Sequence, residues 1–232
     1  MEALAVVWAP VRTLSRVAEE RRVLLAFGIT ALYATLNVIV VAISFAGGFA
    51  EPQFQPGDVQ LPLGSESLFA FAAVFGLIWA VVGPFVFWLL VSGLMQLVTR
   101  FFNGTGPFSG MLSIVGLAQV PLVIAIFIAI PLMGLQIMLA PESSGTQEET
   151  PVEIAMVGLG LLSGVLSLVA QLWFVVLVVI GAAFARRVSY GQSAGSCAIS
   201  CAGCTGLIIL TFVVIVAVSV VFVEVLSSVR TT

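Results

Sequence analysis

Long apolar runs separated by short polar breaks make up most of this chain. The runs cover about residues 23–46, 68–99, 109–139, 154–185 and 193–226. A helix crossing a bilayer needs roughly 20 apolar residues, and each run meets that length. A membrane β-barrel would need alternating segments of about ten residues; these runs are longer and do not alternate. The pattern therefore predicts an all-α fold, a polytopic transmembrane helical bundle of five spans occupying 23–226 as one membrane domain.

Residues 1–22 carry a different pattern. Val7, Val11, Leu14 and Ala18 recur on one helical face, with Arg12, Arg16, Glu19 and Glu20 on the other. Trp8 suits the headgroup level, and Pro10 suits the first position of a regular helix. The expectation is a cytoplasmic amphipathic helix lying in the membrane interface. The apolar stretch that follows is too long for a cleaved signal peptide, whose apolar region is about 7–15 residues.

The breaks are also informative. Gly47, Gly48, Pro52, Pro56 and Pro62 predict an irregular connection after the first span. The second span exceeds the bilayer thickness, so it must tilt, bend or project. Pro84 cannot donate to the carbonyl of Ala80, which makes Gly83–Pro84 the expected bend. Pro121 and Pro131 predict a kinked or broken third span. A glycine-rich turn, with Arg100, Gly104, Gly106 and Pro107 at its heart, joins the second span to the third. The fourth span stops at Arg186–Arg187, and a short turn over 188–192 leads into the fifth.

Composition fixes the solvent. Of 232 residues, 61% are hydrophobic and 8% charged, against about 25% charged in soluble domains. Such a chain cannot cover itself with polar surface, so lipid surrounds most of it. The net charge of −3 matters less than its distribution. Arg12, Arg16, Arg21 and Arg22 precede the first span, Arg100 follows the second, and Arg186 and Arg187 follow the fourth; Arg230 alone falls on the other side. Excess arginine marks the cytoplasmic side. The expectation is a multi-pass plasma-membrane protein with its amino terminus inside and its carboxyl terminus outside. Glu51, Asp58, Glu66, Glu142, Glu148, Glu149 and Glu153 fall on the opposite face. The tripeptide Asn103-Gly104-Thr105 then faces the cytoplasm and is no glycosylation acceptor.

Candidate chemistry is sparse. Cys197, Cys201 and Cys204 match the spacing of a cluster-binding motif. On one helical face, however, three thiols sit at successive turns and cannot converge on one cluster. The small residues of 193–206 suit close helix packing instead. Gly158, Gly160 and Gly164 superficially resemble a nucleotide fingerprint, but no strand precedes them; Gly160 and Gly164 read as another close-contact face. Gly106 to Gly110 includes Ser109, yet the chain contains no histidine to activate a serine. Glu224, near the outer end of the fifth span, reaches the interface. No enzyme activity, cofactor, metal or nucleic-acid partner is expected.

Five amides lie within spans: Asn37, Gln96, Gln119, Gln136 and Gln171. Amides in lipid must find partners, at about 0.6–2 kcal/mol per bond. Counting about 1.5 Å per residue from the flanking arginines puts Asn37 and Gln171 at one depth. The first and fourth spans are therefore expected to touch there, with Gln119 nearby.

The turn Asn103-Gly104-Thr105-Gly106-Pro107-Phe108, followed by Leu117-Ala118-Gln119-Val120-Pro121, resembles the Yip family (Ypt/Rab-interacting membrane proteins). The run from Gln171 to Ser189, with Gln192 and the small-residue span after it, looks like the end of the same domain. The resemblance extends over about residues 10–225. It implies a five-span membrane domain. Eukaryotic members are linked to Rab GTPases, vesicle traffic and membrane shaping through a cytosolic amino-terminal region. Only about 22 residues stand there in this chain, so the GTPase-binding role is not carried over. The chain looks more like the short bacterial and archaeal members. The function expected is non-enzymatic organisation of membrane or partner proteins by helix packing, with lipids, a second copy or other membrane proteins as partners. The rival is a transporter or lipid-handling protein with a cavity at the proline-broken second and third spans. A small subunit of a larger complex is a third reading.

Overall fold

The computed structural model describes residues 2–20, 22–46, 65–139, 151–204 and 206, and among these every regular element is a helix. In chain order they are α1 (Glu2–Trp8), α2 (Pro10–Glu20), α3 (Val23–Ala46), α4 (Ser65–Phe101), α5 (Phe108–Ala118), α6 (Val120–Leu139) and α7 (Pro151–Arg186). A last helix, α8, runs over 190–204. Four described stretches are long and apolar enough to cross a membrane: Val23–Ala46, Ala73–Phe101, Phe108–Leu139 and Ala155–Arg186. Most of the expected fifth span lies outside the described residues, as do the loops carrying Glu51, Asp58 and Glu142.

The bundle is built around α5. This helix has no charged residue, and eight of its eleven residues are buried. It packs against α2, α3, α4 and α7. Two glycines make that closeness feasible. A Cβ on Gly116 would lie 2.4 Å from the Cβ of Ala26, and one on Gly181 would lie 2.2 Å from Ile114 Cγ2. Both contacts need hydrogen in place of a side chain, which is how helices gain packing where lipid offers no hydrophobic drive. Trp88 fastens a third neighbour by donating its indole N–H to the Leu112 carbonyl at 2.8 Å. The core around these contacts includes Met95, Met111, Leu117, Leu177 and Val178.

The amino-terminal segment forms two helices rather than one, with Pro10 opening the second. Its buried stripe is Val6, Leu14 and Val17, docked on the bundle, while Val11 is half exposed and Trp8 fully so. Of the expected face, Leu14 is buried, Val7 and Ala18 are half-buried and Val11 is exposed; the buried face is turned towards Val17 because α5 and α7 pack on that side.

The three prolines differ in effect. Helix α4 runs through Pro84 and α6 through Pro131 without interruption. Only Pro121 coincides with a break, at Gln119 between α5 and α6. Lacking an N–H, Pro121 leaves the Leu117 carbonyl without its intrahelical donor, and its ring crowds that carbonyl. The outer faces of α4 and α7 expose Val74, Ile78, Leu161, Val165 and Leu168, the surface expected of helices in lipid.

Candidate functional site

The glycine-rich turn and the end of α7 meet in one knot. Both helices that enter it terminate alike. At the end of α4, Gly104 N–H donates to the Thr99 carbonyl at 2.9 Å and Asn103 N–H to the Arg100 carbonyl at 3.1 Å. Asn103 has φ 60°, completing a Schellman motif. At the end of α7, Val188 N–H donates to the Ala183 carbonyl at 3.2 Å, with Arg187 at φ 56°. Asparagine tolerates this left-handed backbone; arginine does so at a cost of roughly 1–2 kcal/mol.

Arg186 is the centre of the knot, with 2% of its surface exposed. Its Nε donates to Thr99 Oγ1 at 3.0 Å and its Nη2 to the Gly104 carbonyl. The Thr99 hydroxyl itself donates to the Met95 carbonyl at 2.6 Å. In return, Thr105 N–H donates to the Arg186 carbonyl at 3.1 Å. The carboxyl ends of α4 and α7 converge here, each carrying about half a negative charge. That explains how a guanidinium is held by a hydroxyl and a carbonyl. Gly106 closes the knot: a Cβ there would lie 1.6 Å from the Ala185 carbonyl oxygen, so no other residue fits. Pro107 then caps α5, accepting from Gly110 N–H at 3.2 Å. Arg100 is exposed at the rim. Beyond the knot, Ser189 and Gln192 cap each other's backbone N–H groups to start α8. Ser193 ties α8 back to α7 by donating to the Val179 carbonyl at 2.6 Å.

The in-span amides do not form one site. Asn37 donates to the Tyr33 carbonyl at 2.8 Å, within its own helix. Gln171 is exposed and reaches Ser167 Oγ at 3.2 Å, also within its own helix. The expected contact between the first and fourth spans is not made, because α5 stands between α3 and α7 and packs on both. Gln136 approaches Gly160 across the α6–α7 contact. Gln96 has a buried Oε1 with no hydrogen-bond partner, and Gln119 is fully buried with both amide atoms unpartnered among the described residues.

The glycine face of α7 stands open at Gly164 and borders α6 at Gly160. A Cβ on Gly164 would meet nothing within 4 Å, and one on Gly160 only the Gln136 amide at 3.8 Å. Buried positions on α7 begin at Ala170 and recur at Phe174, Leu177, Val178 and Ala182, with α2, α5 and α6 packed along the helix; Gln171 and residues 155–169 are exposed or half-buried. Along α8, Cys197 and Cys204 are buried and Cys201 is exposed, with the Cys197 and Cys201 sulfurs 4.0 Å apart.

Apolar outer faces, four membrane-length stretches and a latch of helix ends define a polytopic helical membrane protein. The chain belongs to the Yip1 domain family, whose domain matches residues 4–222 and thus takes in the amino-terminal helices. It is also similar to an uncharacterized protein of Methanocaldococcus jannaschii, with 33% identity over 67 residues. That stretch is 29% of this chain and 48% of the relative, about half its length. No solved structure matches the chain significantly.

Proposed function

We propose that this Yip1-domain protein is a non-enzymatic organiser of membrane proteins, acting through the outward face of α7. One observation carries the reading. Gly160, Gly164, Ser167 and Gln171 recur at spacings of four, three and four on one side of α7, and all are exposed. In lipid, such a stripe of small and amide side chains offers close approach and hydrogen bonds to another helix. The knot at Arg186 holds the end of α7 fixed while this face is presented. The proposed setting is the plasma membrane, with the knot on the cytoplasmic side.

The rival, a transporter or lipid-handling protein, draws on Gln119, whose unpartnered amide lies at the break made by Pro121. Neither the cavity beside α2 nor the apolar groove among α1, α6 and α7 is lined by Gln119 or Gln171.

Gentle detergent extraction of wild type and of the Gly164→Leu/Gln171→Leu double variant tests the proposal. Side chains added at Gly164 enter open space, so the fold is kept. The wild-type chain is expected to extract as an assembly and the variant as a single chain with unchanged helicity. Identical assemblies from both would refute the role given to this face.

A further inference from the structure

We propose that Cys197 and Cys201 on α8 form a two-thiol site for a soft monovalent metal ion, copper(I). Their sulfurs lie 4.0 Å apart, and none of the three cysteines is in a disulfide. Residues four apart on a helix have Cβ atoms about 5–6 Å apart, so these two side chains are turned towards each other. The helix that carries them is fixed on both sides of the pair. Ser193 donates to the Val179 carbonyl of α7 at 2.6 Å, and a Cβ on Gly203 would lie 3.8 Å from Leu94 Cδ1 of α4. Cys197 is buried and Cys201 exposed, so an ion between them has one ligand inside the bundle and one within reach from outside.

Ligand softness and coordination number choose the ion. Thiolates select copper(I), zinc or iron–sulfur clusters, whereas hard cations need about six oxygen ligands. Zinc takes at least three protein ligands. Among the described residues no three histidine, cysteine, aspartate or glutamate side chains could hold one ion together, which removes zinc and a cluster alike. Three thiols at successive turns cannot share an ion, but two can. A metal–sulfur bond of about 2.3 Å on sulfurs 4.0 Å apart gives an S–metal–S angle of about 120°. That angle belongs to a planar three-coordinate ion with its third position open, a geometry that closed-shell copper(I) accepts. Thiols bind metal as thiolates and release protons. One proton lost for each copper(I) leaves the site as neutral as before, the balance that an apolar surrounding favours.

Anaerobic titration of the purified full chain in detergent against a chromogenic copper(I) chelator tests this, with copper(I) itself as the probe. Wild type is expected to bind one ion per chain. Cys197→Ser and Cys201→Ser should each bind it at least about 100-fold more weakly, the upper end of the loss caused by removing even a supporting partner of a metal ligand. Cys204→Ser should bind as wild type does. X-ray absorption of the loaded wild type should show two sulfur neighbours around the copper, a measurement that stands even where a serine variant does not fold. Wild-type affinity in Cys197→Ser would make the exposed Cys201 an adventitious ligand only. That result, an equal loss in Cys204→Ser, one or three sulfur neighbours, or no binding by wild type would overturn the proposal.

Discussion

At the end of α7 two adjacent arginines meet opposite surroundings. Arg186 is buried against Thr99 and Gly104, whereas Arg187 is exposed and holds a left-handed backbone. In sequence both are simply charges that end a span, and charge counting treats them alike. What separates them is the path of the turn from α4, visible only once Gly106 lies on Ala185. Two predictions belong here. Arg187→Gly should stabilise the protein by about 1 kcal/mol by relieving the left-handed arginine, read as a higher thermal midpoint in detergent; a lower midpoint would show that the side chain contributes more than the backbone costs. Gly106→Ala should destabilise by about 3 kcal/mol, the upper range for forced overpacking, and should raise proteolysis of the turn. Gln119 supplies a third. Replacing its unpartnered amide in Gln119→Leu should leave stability unchanged or raise it by about 1–3 kcal/mol, measured by the same midpoint. A loss of stability would mean that the amide has a partner, as the transport reading requires.

Among the elements, existence and length were legible and partnership was not. Hydropathy located the spans because lipid demands long apolar helices whatever their neighbours. It could not tell which proline interrupts a helix. Pro84 and Pro131 are carried inside α4 and α6, while Pro121 follows the break at Gln119. Glycine was equally ambiguous. Gly160 and Gly164 fit a known packing spacing, yet Gly164 stands open and Gly160 meets only the Gln136 amide, whereas the solitary Gly116 and Gly181 make the tightest helix contacts. Spacing reports a face that can approach another helix; the chain's connectivity decides whether one arrives. The same reasoning explains the missing Asn37–Gln171 contact, since equal depth in a membrane does not make helices neighbours. The open α7 face is consequently where substitutions should alter assembly without altering stability.

Across the whole molecule, the arginine-bearing ends come together. A Cβ on Gly110, at the start of α5, would lie 3.6 Å from the Ala18 carbonyl oxygen of α2 and 3.8 Å from the Ala185 Cβ of α7. Arg12, Arg16 and Arg22 thus belong to the same end of the bundle as the knot, as the distribution of arginines along the sequence predicts. Placing that end in the cytoplasm links the latch and the outward α7 face into one account. Thr105, exposed in the knot, gives the most direct test. With Cys197, Cys201 and Cys204 replaced by serine, a Thr105→Cys chain should resist a membrane-impermeant thiol reagent in intact cells and react once the membrane is opened. Reaction in intact cells would place the knot outside and contradict the account.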